Sequence, residues 1–295
     1  MAKPVSYAGR VALIAGGAGG MGRAIAARLI QRGVRCLLVD INAKSLAIAV
    51  EKLGPLGLGH VADLTSMRAI RQLPEYIDSQ FGKLDILINN AAIVNTLPLP
   101  FEQRGVMSIK GELDINLNAP IVLTHTLLSR LKRAGDGRVI TIVSVGGMFP
   151  LPKSTIYSAA KFGLRGAMLC LGMEDPRLGV KLGIVNPCAT ETPMLIRAAI
   201  EGGNKRQFMN PPQQPDEVAT QVLHMLDEPC LERFVRPTES WLARLAMLVP
   251  NMIPKLIPML RRQSEADHRG YVESLERRGL IHRRDGTWQL TQTDQ

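Results

Sequence analysis

Five glycines crowd eight positions near the N-terminus, in the stretch 15–22, which reads AGGAGGMG. The apolar run before it, residues 10–15, is typical of a buried parallel strand. The segment after it alternates apolar residues with arginines and predicts a helix that Gly33 ends. A second apolar run, residues 35–39, then leads into Asp40. The order of strand, glycine turn, helix, strand and acid restricts this part of the chain to a βαβ unit.

The glycine turn and Asp40 together predict a dinucleotide site. Glycines let a phosphate approach the backbone, and a helix N-terminus offers unpaired N–H groups and a favourable dipole. An acid about twenty residues further along accepts the ribose hydroxyls of NAD. The glycines fit two registers, G-x-G-x-x-G at 17, 19 and 22 or G-x-x-x-G-x-G at 16, 20 and 22. A glycine turn that serves only as a tight connection is the alternative.

Strand and helix patterns alternate along the first 235 residues. Further helices are predicted at 43–53, 65–81, 107–133 and 155–175, and further strands at 57–61, 84–88, 138–143, 180–185 and 233–235. Such alternation predicts an α/β fold with a doubly wound parallel sheet of about seven strands, helices on both faces and ligands at the carboxyl ends of the strands. We predict a dinucleotide-binding catalytic domain over 1–237 and a helical C-terminal extension over 238–295.

Composition argues against several other classes. The net charge is +10, but the basic residues are scattered and aromatic residues make up 4% of the chain, so no nucleic-acid partner is predicted. The four cysteines and five histidines are dispersed, which predicts neither a metal site nor a redox pair. The N-terminus lacks the apolar core of a signal peptide, and a cytoplasmic protein is expected.

A second chemical pattern lies between residues 144 and 161. Tyr157 and Lys161 are four residues apart in a predicted helix and therefore share a face. An ammonium near a phenol favours the phenolate and is expected to lower the pKa of Tyr157, making it a usable acid or base. Ser144, at the end of a predicted strand, is placed to hydrogen-bond a substrate oxygen. A tyrosine and a lysine with this spacing are common, and the dinucleotide pattern upstream is what favours the catalytic interpretation.

Over residues 8–236 the chain resembles the short-chain dehydrogenase/reductase family, in its single-domain Rossmann branch. The family's T-G-x-x-x-G-x-G matches residues 15–22, which selects Gly16, Gly20 and Gly22 as its glycines. Its D-L pair matches 63–64, and its N-N-A-G matches 89–92 with alanine at the last position. Its P-G-x-V-x-T, which holds the nicotinamide carboxamide in the family, matches 187–192, with cysteine at 188 and threonine at 190. The family's catalytic tetrad is matched in full by Asn116, Ser144, Tyr157 and Lys161.

The resemblance implies hydride transfer between NAD and a carbinol or carbonyl carbon. Tyr157 is then the general acid or base, Ser144 fixes the oxygen, Lys161 contacts the nicotinamide ribose, and Asn116 holds a water that relays the proton. The implied cofactor-binding residues are Gly16, Gly19, Gly20, Met21, Gly22, Asp40, Ile41, Asp63, Leu64, Asn90, Ala91, Tyr157, Lys161, Pro187, Thr190 and Thr192. Asp40 repels a 2′-phosphate, and Gly19 stands where NADP-preferring members often carry a basic residue, so NAD is expected over NADP.

The substrate is less constrained. Apolar residues at 148, 149, 151 and 194–196 suit a hydrophobic alcohol or ketone, such as a steroid, aryl or lipid-like compound, or they only pack the covering segment. The extension contains an apolar, basic stretch over 241–262 with prolines at 250, 254 and 258. Packing against the chain's own core or a second subunit, closing over the active site as a lid, and contact with a membrane surface all remain open. Because every cofactor motif precedes it, the extension is expected to shape the substrate site rather than the cofactor site.

Several functions follow from these patterns. The first is an NAD-dependent oxidoreductase for secondary alcohols and ketones, for which the family resemblance implies a homodimer or homotetramer. A 3-oxoacyl-type reductase of the same family is the alternative substrate class. A peripheral membrane protein or an NAD-sensing interaction protein are the alternatives from other classes, although the intact tetrad favours an enzyme.

Overall fold

A seven-stranded sheet forms the centre of the computed structural model, which describes residues 7–95, 99–150, 152–174, 179–256, 258 and 261–291. The strands are β1 (Val11–Ala15), β2 (Arg35–Asp40), β3 (Gly57–Val61), β4 (Ile86–Asn89), β5 (Gly137–Ile142), β6 (Val180–Asn186) and β7 (Glu232–Phe234). Each pairs with its neighbours in parallel. The predicted doubly wound α/β sheet is therefore confirmed.

The strand order places a crevice at the middle of the sheet. The order is β3-β2-β1-β4-β5-β6-β7. After β1 the chain continues toward one edge of the sheet, to β2, and after β4 it continues toward the opposite edge, to β5. In the register between these two strands, Ala15 faces Asn89. The residues that follow them, Gly16 and Asn90, therefore leave the sheet side by side. Open α/β sheets bind ligands at this kind of switch point.

Helices cover both faces of the sheet. They are α1 (Gly20–Ile30), α2 (Ala43–Leu53), α3 (Met67–Phe81), α4 (Val106–Leu113), α5 (Ala119–Arg133), α6 (Thr155–Met173), α7 (Pro193–Ile200), α8 (Pro215–Asp227), α9 (Pro237–Leu248), α10 (Ile253–Leu256) and α11 (Arg261–Arg277). Successive residues of β1 point to opposite faces: Ile14 packs with α1 and α8, and Leu13 packs with α3, α5 and α6. Both faces are apolar because both are buried.

The long helix predicted over 107–133 is interrupted. The structure has α4, a π-helical turn over Asp114–Asn118, and then α5. Pro120 explains the break, because it lacks the N–H that an α-helix would direct to the carbonyl of Asn116. The Ala119 N–H instead bonds to the carbonyl of Asp114, five residues back. The apolar periodicity runs through this break, so the pattern alone did not reveal it.

The extension is only partly helical. It contains the predicted helices, α9, α10 and α11, and then an antiparallel hairpin of β8 (Ile281–Arg284) and β9 (Thr287–Leu290) that was not predicted. Asp285 and Gly286 form the connection, both with positive φ, of 52° and 76°. An Asp-Gly pair favours a two-residue hairpin turn and was the overlooked signal. None of the described helices is long and apolar enough to cross a membrane. The domain division at residue 237 stays a prediction.

Besides the two apolar clusters on the faces of the sheet, a third apolar cluster joins the extension to the segment after β6. Leu195 and Ile196 of α7 and Phe208 pack there with Tyr271 and Leu275 of α11. The extension therefore buries part of its apolar surface against the helix that follows the 187–192 motif. Earlier in the extension, large apolar side chains are exposed to solvent at Trp241, Leu245 and Leu248 of α9 and at Val249 and Met252 just after it.

Candidate active site

The glycine loop follows β1 and is shaped by close backbone contacts. Gly16 has φ of 68°, and a Cβ there would lie 2.7 Å from the Cα of Ala91. A Cβ on Gly22 would lie 2.2 Å from the carbonyl oxygen of Gly16. Gly17 is equally restricted, with Leu38 Cβ only 2.6 Å away, whereas a Cβ on Gly19 would meet nothing closer than 3.4 Å. Sequence reasoning missed Gly17, because its constraint comes from packing on β2.

The loop leads into the N-terminus of α1, which suits an anionic group. The N-cap is Gly19, which has no side chain to accept from the first N–H groups, and the first turn contains no acidic residue. The positive end of the helix dipole and the amides of Gly20, Met21 and Gly22 are thus left for a ligand. A Cβ on Gly20 would lie 3.0 Å from Thr192 Cγ2, so the loop also meets the 187–192 motif. These residues fit a dinucleotide phosphate.

Asp40 ends β2 with its carboxylate held beside the glycine loop. One oxygen accepts from the Ala18 N–H at 3.0 Å, and the other accepts from the Asn42 N–H at 3.1 Å. Asn42, and not Asp40, is the N-cap of α2. Ile41, beside it, is 65% exposed. The fixed carboxylate and the exposed apolar side chain suit a ribose and an adenine ring, respectively.

Two other predicted cofactor positions differ in their surroundings. Asn90 donates to the carbonyls of Ala15 and Gly16, at 3.2 and 2.9 Å, and its buried Oδ1 has no hydrogen-bond partner among the described residues. Asp63 is exposed and accepts from the N–H and hydroxyl of Thr65. Leu64 is buried in the apolar cluster below the sheet edge, so the structure gives it a packing role.

The predicted catalytic side chains come together at the carboxyl ends of β4 and β5. Ser144 follows β5, and its Oγ accepts from the Gly146 N–H at 3.0 Å. Tyr157, in the first turn of α6, hydrogen-bonds to the Ser144 hydroxyl. Lys161 lies one turn further on, with Nζ 5.8 Å from the centre of the Tyr157 ring. Gly147 is needed in this turn, because a Cβ there would lie 2.8 Å from the Lys161 carbonyl.

Burial dominates the electrostatics of this cluster. The ammonium of Lys161 is buried and donates to the Ile142 carbonyl at 3.2 Å, and burial lowers its pKa to about 8. The pKa of Tyr157 lies above its usual value, chiefly because burial disfavours the phenolate, and the charge of Glu112 adds to the effect. The hydrogen bond from Ser144 acts in the opposite direction. The expectation that Lys161 leaves Tyr157 with a lowered pKa is therefore wrong in this structure.

Glu112 was not anticipated as a neighbour of the catalytic residues. It is buried on α4 and pairs with the buried Arg104, Nη1 to Oε2, at 3.2 Å. Arg104 also donates to the Lys153 carbonyl at 3.1 Å, across the segment that precedes α6. The apolar spacing of α4 gives no sign of this pair, since a glutamate in a helix is usually exposed.

Asn116 lies in the π-helical turn and is fully buried. Its Nδ2 donates to the Ile93 carbonyl at 2.8 Å, and its Oδ1 accepts from the Ile93 N–H at 3.0 Å. The side chain therefore fixes the segment after β4. A role in holding a relay water stays a prediction, and π-helical turns are frequent at functional sites.

The 187–192 motif follows β6 and borders the same crevice. The Pro187 carbonyl accepts from the Val145 N–H at 3.0 Å, which ties the motif to the Ser144 turn. Thr192 caps α7 by accepting from the Leu195 N–H at 3.4 Å. Thr190 is buried and bridges to Gln213. Among the non-glycine residues described, positive φ occurs only at Lys153 and Asp285, so Cys188 replaces the family glycine without a left-handed backbone.

The apolar wall predicted for the substrate is only partly available. Leu195 and Ile196 are buried against the extension, and Leu151 lies outside the described residues. Met194 remains partly exposed. An open surface cavity of about 470 Å³ lies where α6, β7 and α9 meet and is lined by Met148, Phe162, Arg165, Glu232, Arg244 and Met247. Its lining mixes apolar and charged groups.

Known proteins resemble this chain over the same region. The family model described as short chain dehydrogenase matches residues 10–201. A 2-dehydro-3-deoxy-L-rhamnonate dehydrogenase (NAD(+)) from Sphingomonas sp. (strain SKA58) is 32% identical over 64% of this chain and 75% of its own length. A cyclohexanol dehydrogenase from Acinetobacter sp. (strain SE19) is 27% identical over 74% of this chain and 88% of its own.

Solved structures agree with these matches. A crystal structure of levodione reductase superimposes with a TM-score of 0.71 and 25% identity, covering 79% of this chain and 98% of the other. The part left uncovered is consistent with an extension beyond the shared sheet. On the family match and the seven-stranded sheet, this protein belongs to the short-chain dehydrogenase/reductase family, a family of oxidoreductases that act on alcohol and ketone groups.

Proposed function

We propose that this protein is an NAD-preferring oxidoreductase that interconverts a secondary alcohol and a ketone on a hydrophobic substrate. The observation that carries the proposal is the grouping of Ser144, Tyr157 and Lys161 beside the glycine loop and the 187–192 motif. A dinucleotide phosphate fits the start of α1, and the motif after β6 borders the catalytic hydroxyls. Cofactor and reacting oxygen would thus meet at one crevice.

The chain's own residues handle the proton and the substrate oxygen. NAD, when bound, accepts or supplies the hydride. The Tyr157 hydroxyl gives a proton to a ketone oxygen, or its phenolate takes one from an alcohol, and Ser144 donates a hydrogen bond to that oxygen. Because its pKa is raised, Tyr157 is protonated at neutral pH and ready to act as an acid. Alcohol oxidation needs the phenolate and is expected to accelerate as the pH rises.

The preference for NAD rests on Asp40. Two backbone amides fix its carboxylate at the end of β2, where the ribose of a dinucleotide on the glycine loop would lie. A carboxylate accepts a 2′-hydroxyl and repels a 2′-phosphate. The rhamnonate dehydrogenase relative carries NAD in its name, which supports the proposal by similarity.

The hydrophobic substrate class rests on fewer observations. The exposed Met194 offers apolar surface on the segment that follows the 187–192 motif, and the cyclohexanol dehydrogenase relative acts on a hydrophobic alcohol by its name. The rhamnonate dehydrogenase relative names a polar sugar acid instead. A panel of both classes therefore decides the question.

The experiment measures NADH formation from cyclohexanol, larger cyclic and aryl secondary alcohols, and polyols or sugar acids, with NAD and NADP in parallel. Turnover of hydrophobic alcohols with NAD, rising between pH 7 and pH 10, is expected. Preference for polyols or sugar acids would refute the substrate class, and preference for NADP would refute the cofactor assignment. The Tyr157→Phe variant is the control for a contaminating activity.

We further propose a homodimer or homotetramer, with contact to a membrane surface as the other use of the exposed apolar face on α9. Self-association and membrane binding can be distinguished by experiment. Light scattering gives the mass in solution, and flotation with anionic vesicles detects membrane binding. A monomer that does not float would exclude both.

A further inference from the structure

We propose that the C-terminal extension positions the 187–192 motif through Tyr271 and Arg278, which hold the side chain of Glu191. Tyr271 and Arg278 are thereby positioning residues for cofactor binding, although they lie some eighty residues from the motif along the chain. The inference rests on the proposed function, because it concerns the segment assigned to the nicotinamide end of the cofactor. It also revises the expectation that the extension serves the substrate site alone.

Three side chains donate to the Glu191 carboxylate: Arg278 and Tyr271 of the extension, and Gln214, whose Nε2 donates to Oε1 at 3.4 Å. The Arg278 guanidinium donates in a fork, Nη1 to Oε2 at 2.8 Å and Nη2 to Oε1 at 2.6 Å. The Tyr271 hydroxyl donates to Oε2 at 3.2 Å. The Glu191 side chain is only 9% exposed, while the Arg278 side chain is 45% exposed. A forked pair with one partner largely buried constrains the carboxylate in both position and orientation.

Gln213 holds the backbone of the same motif. The Glu191 N–H donates to the Gln213 carbonyl at 2.7 Å, and the Gln213 N–H donates to the Ala189 carbonyl at 2.7 Å. The Cys188 N–H donates to the Gln213 side chain at 3.1 Å. Gln213 itself is fully buried. The motif is therefore fixed along its backbone by one segment and through the Glu191 side chain by the extension.

The extension also holds the helix that follows. Thr192 is the N-cap of α7, directly after Glu191. Near the other end of α7, the ring of His268 hydrogen-bonds to the Ala199 carbonyl at 2.9 Å. The Tyr271 ring stacks on Phe208 with their centres 5.1 Å apart. Helix α11 thus contacts both ends of α7, and the third apolar cluster fills the space between them.

The consequence concerns the two threonines on either side of Glu191. Thr190 and Thr192 are the predicted cofactor contacts, and the Thr192 methyl group also lies against Gly20 of the phosphate loop. Loss of the Arg278 fork leaves a mostly buried carboxylate without its charged partner, which favours movement of Glu191 toward water. Displacement of the adjacent threonines would then weaken cofactor binding, since small misplacements in a binding site have large effects.

The test compares Arg278→Gln, Arg278→Lys and Tyr271→Phe in the full chain. The matched control is Arg130→Gln, because Arg130 makes a similar fork to Asp78 on the surface between α3 and α5, at 3.0 and 2.5 Å. The measurements are the NADH dissociation constant by fluorescence titration, KM and kcat for the best alcohol of the panel, and the thermal midpoint. The probe is NADH itself.

Arg278→Gln is expected to raise the NADH dissociation constant about fivefold and the KM for NAD with it. Arg278→Lys, which keeps the charge without the fork, should recover part of that loss. Tyr271→Phe should produce about a twofold change, and Arg130→Gln none, although both arginine-to-glutamine variants are expected to lower the thermal midpoint. If Arg278→Gln lowers both NADH affinity and the thermal midpoint while Arg130→Gln lowers only the thermal midpoint, Arg278 has a positioning role and not a purely structural one.

Equal NADH affinity in Arg278→Gln and in the wild type would overturn the inference. If Arg278→Gln does not fold, unchanged affinity in both Arg278→Lys and Tyr271→Phe overturns it in the same way. A wild-type protein that binds neither NADH nor NADPH would instead refute the proposed function. The two failures are therefore distinguishable.

Discussion

The two sides of the crevice are built by different means. On the side of β1 and β2, the site is backbone: glycines that have no room for a Cβ, a helix N-terminus and one carboxylate held by amides. We call this the backbone half. On the side of β5 and β6, the site is built from side chains of distant segments, including Arg278, which binds Glu191, and Glu112, which lies near Tyr157. We call this the side-chain half. Substitution of a glycine in the backbone half is expected to be poorly tolerated, because a Cβ does not fit there. In the side-chain half, a single substitution removes one contact and is expected to weaken the site only in part.

The largest effect is expected from the side-chain half. Tyr157→Phe removes the hydroxyl that exchanges the proton and keeps the ring. We expect kcat to fall by about a thousandfold, within the range for loss of a general acid or base. NADH affinity and the thermal midpoint should stay near the wild-type values, because the glycine loop and Asp40 are untouched.

Turnover and fluorescence titration of the same preparation check this prediction. Retained turnover would show that another group carries the proton. Loss of NADH binding would show that the Tyr157 hydroxyl itself holds the dinucleotide, in addition to the glycine loop and the 187–192 motif.

A pair of glycine variants tests the backbone half. Gly22→Ala places a Cβ 2.2 Å from the Gly16 carbonyl, so the turn must shift, and we expect a loss of about 3 kcal/mol in stability together with most NADH binding. Gly19→Ala meets no atom closer than 3.4 Å and should be nearly neutral in stability. Denaturant unfolding and NADH titration measure both effects. Equal effects for the two variants would contradict the steric explanation.

These glycines also show what the sequence could reveal. The strand, turn, helix and strand order is local, so it predicted the sheet, the loop and Asp40, and the family motifs located Ser144, Tyr157 and Lys161. Long-range contacts were invisible: Gly17 is constrained by Leu38 on the next strand, and Glu191 by Arg278, which directly follows the last helix. The direction of the Tyr157 pKa also depends on burial, which spacing along a helix does not report.

Asp40 is the one side chain of the backbone half with an expected specific role. Asp40→Ala removes the acceptor for a ribose hydroxyl and a negative charge, and NAD binding should weaken by about 1.5 to 3 kcal/mol, the range for a hydrogen bond to a charged group. NADP binding should not weaken, because the repulsion of its 2′-phosphate is removed, so the ratio between the dissociation constants of the two cofactors narrows. The dissociation constants of NAD and NADP, measured for the wild type and for Asp40→Ala, check this prediction. An unchanged ratio would mean that Asp40 only supports the glycine loop through Ala18.

The smallest effect concerns the stability cost of Lys161. Its pKa in the folded protein is about 8, below the usual 10.5, because burial disfavours the charged form. Below pH 8 the ammonium is charged in both states and its burial destabilises the fold. This penalty disappears as the pH rises from about 8 to 10.5, where the folded protein loses the proton first.

Lys161→Met should therefore unfold less readily at pH 7, by about 1 to 2 kcal/mol once the lost hydrogen bond to Ile142 is deducted. The gain should shrink toward pH 10, while turnover is lost at every pH. Denaturant unfolding of both proteins at pH 7 and pH 10 measures the difference. A variant that is less stable than the wild type at pH 7 would mean that the buried ammonium stabilises the fold. The two halves of the site would then differ in how they are built, but the side-chain half would carry no cost of charge burial.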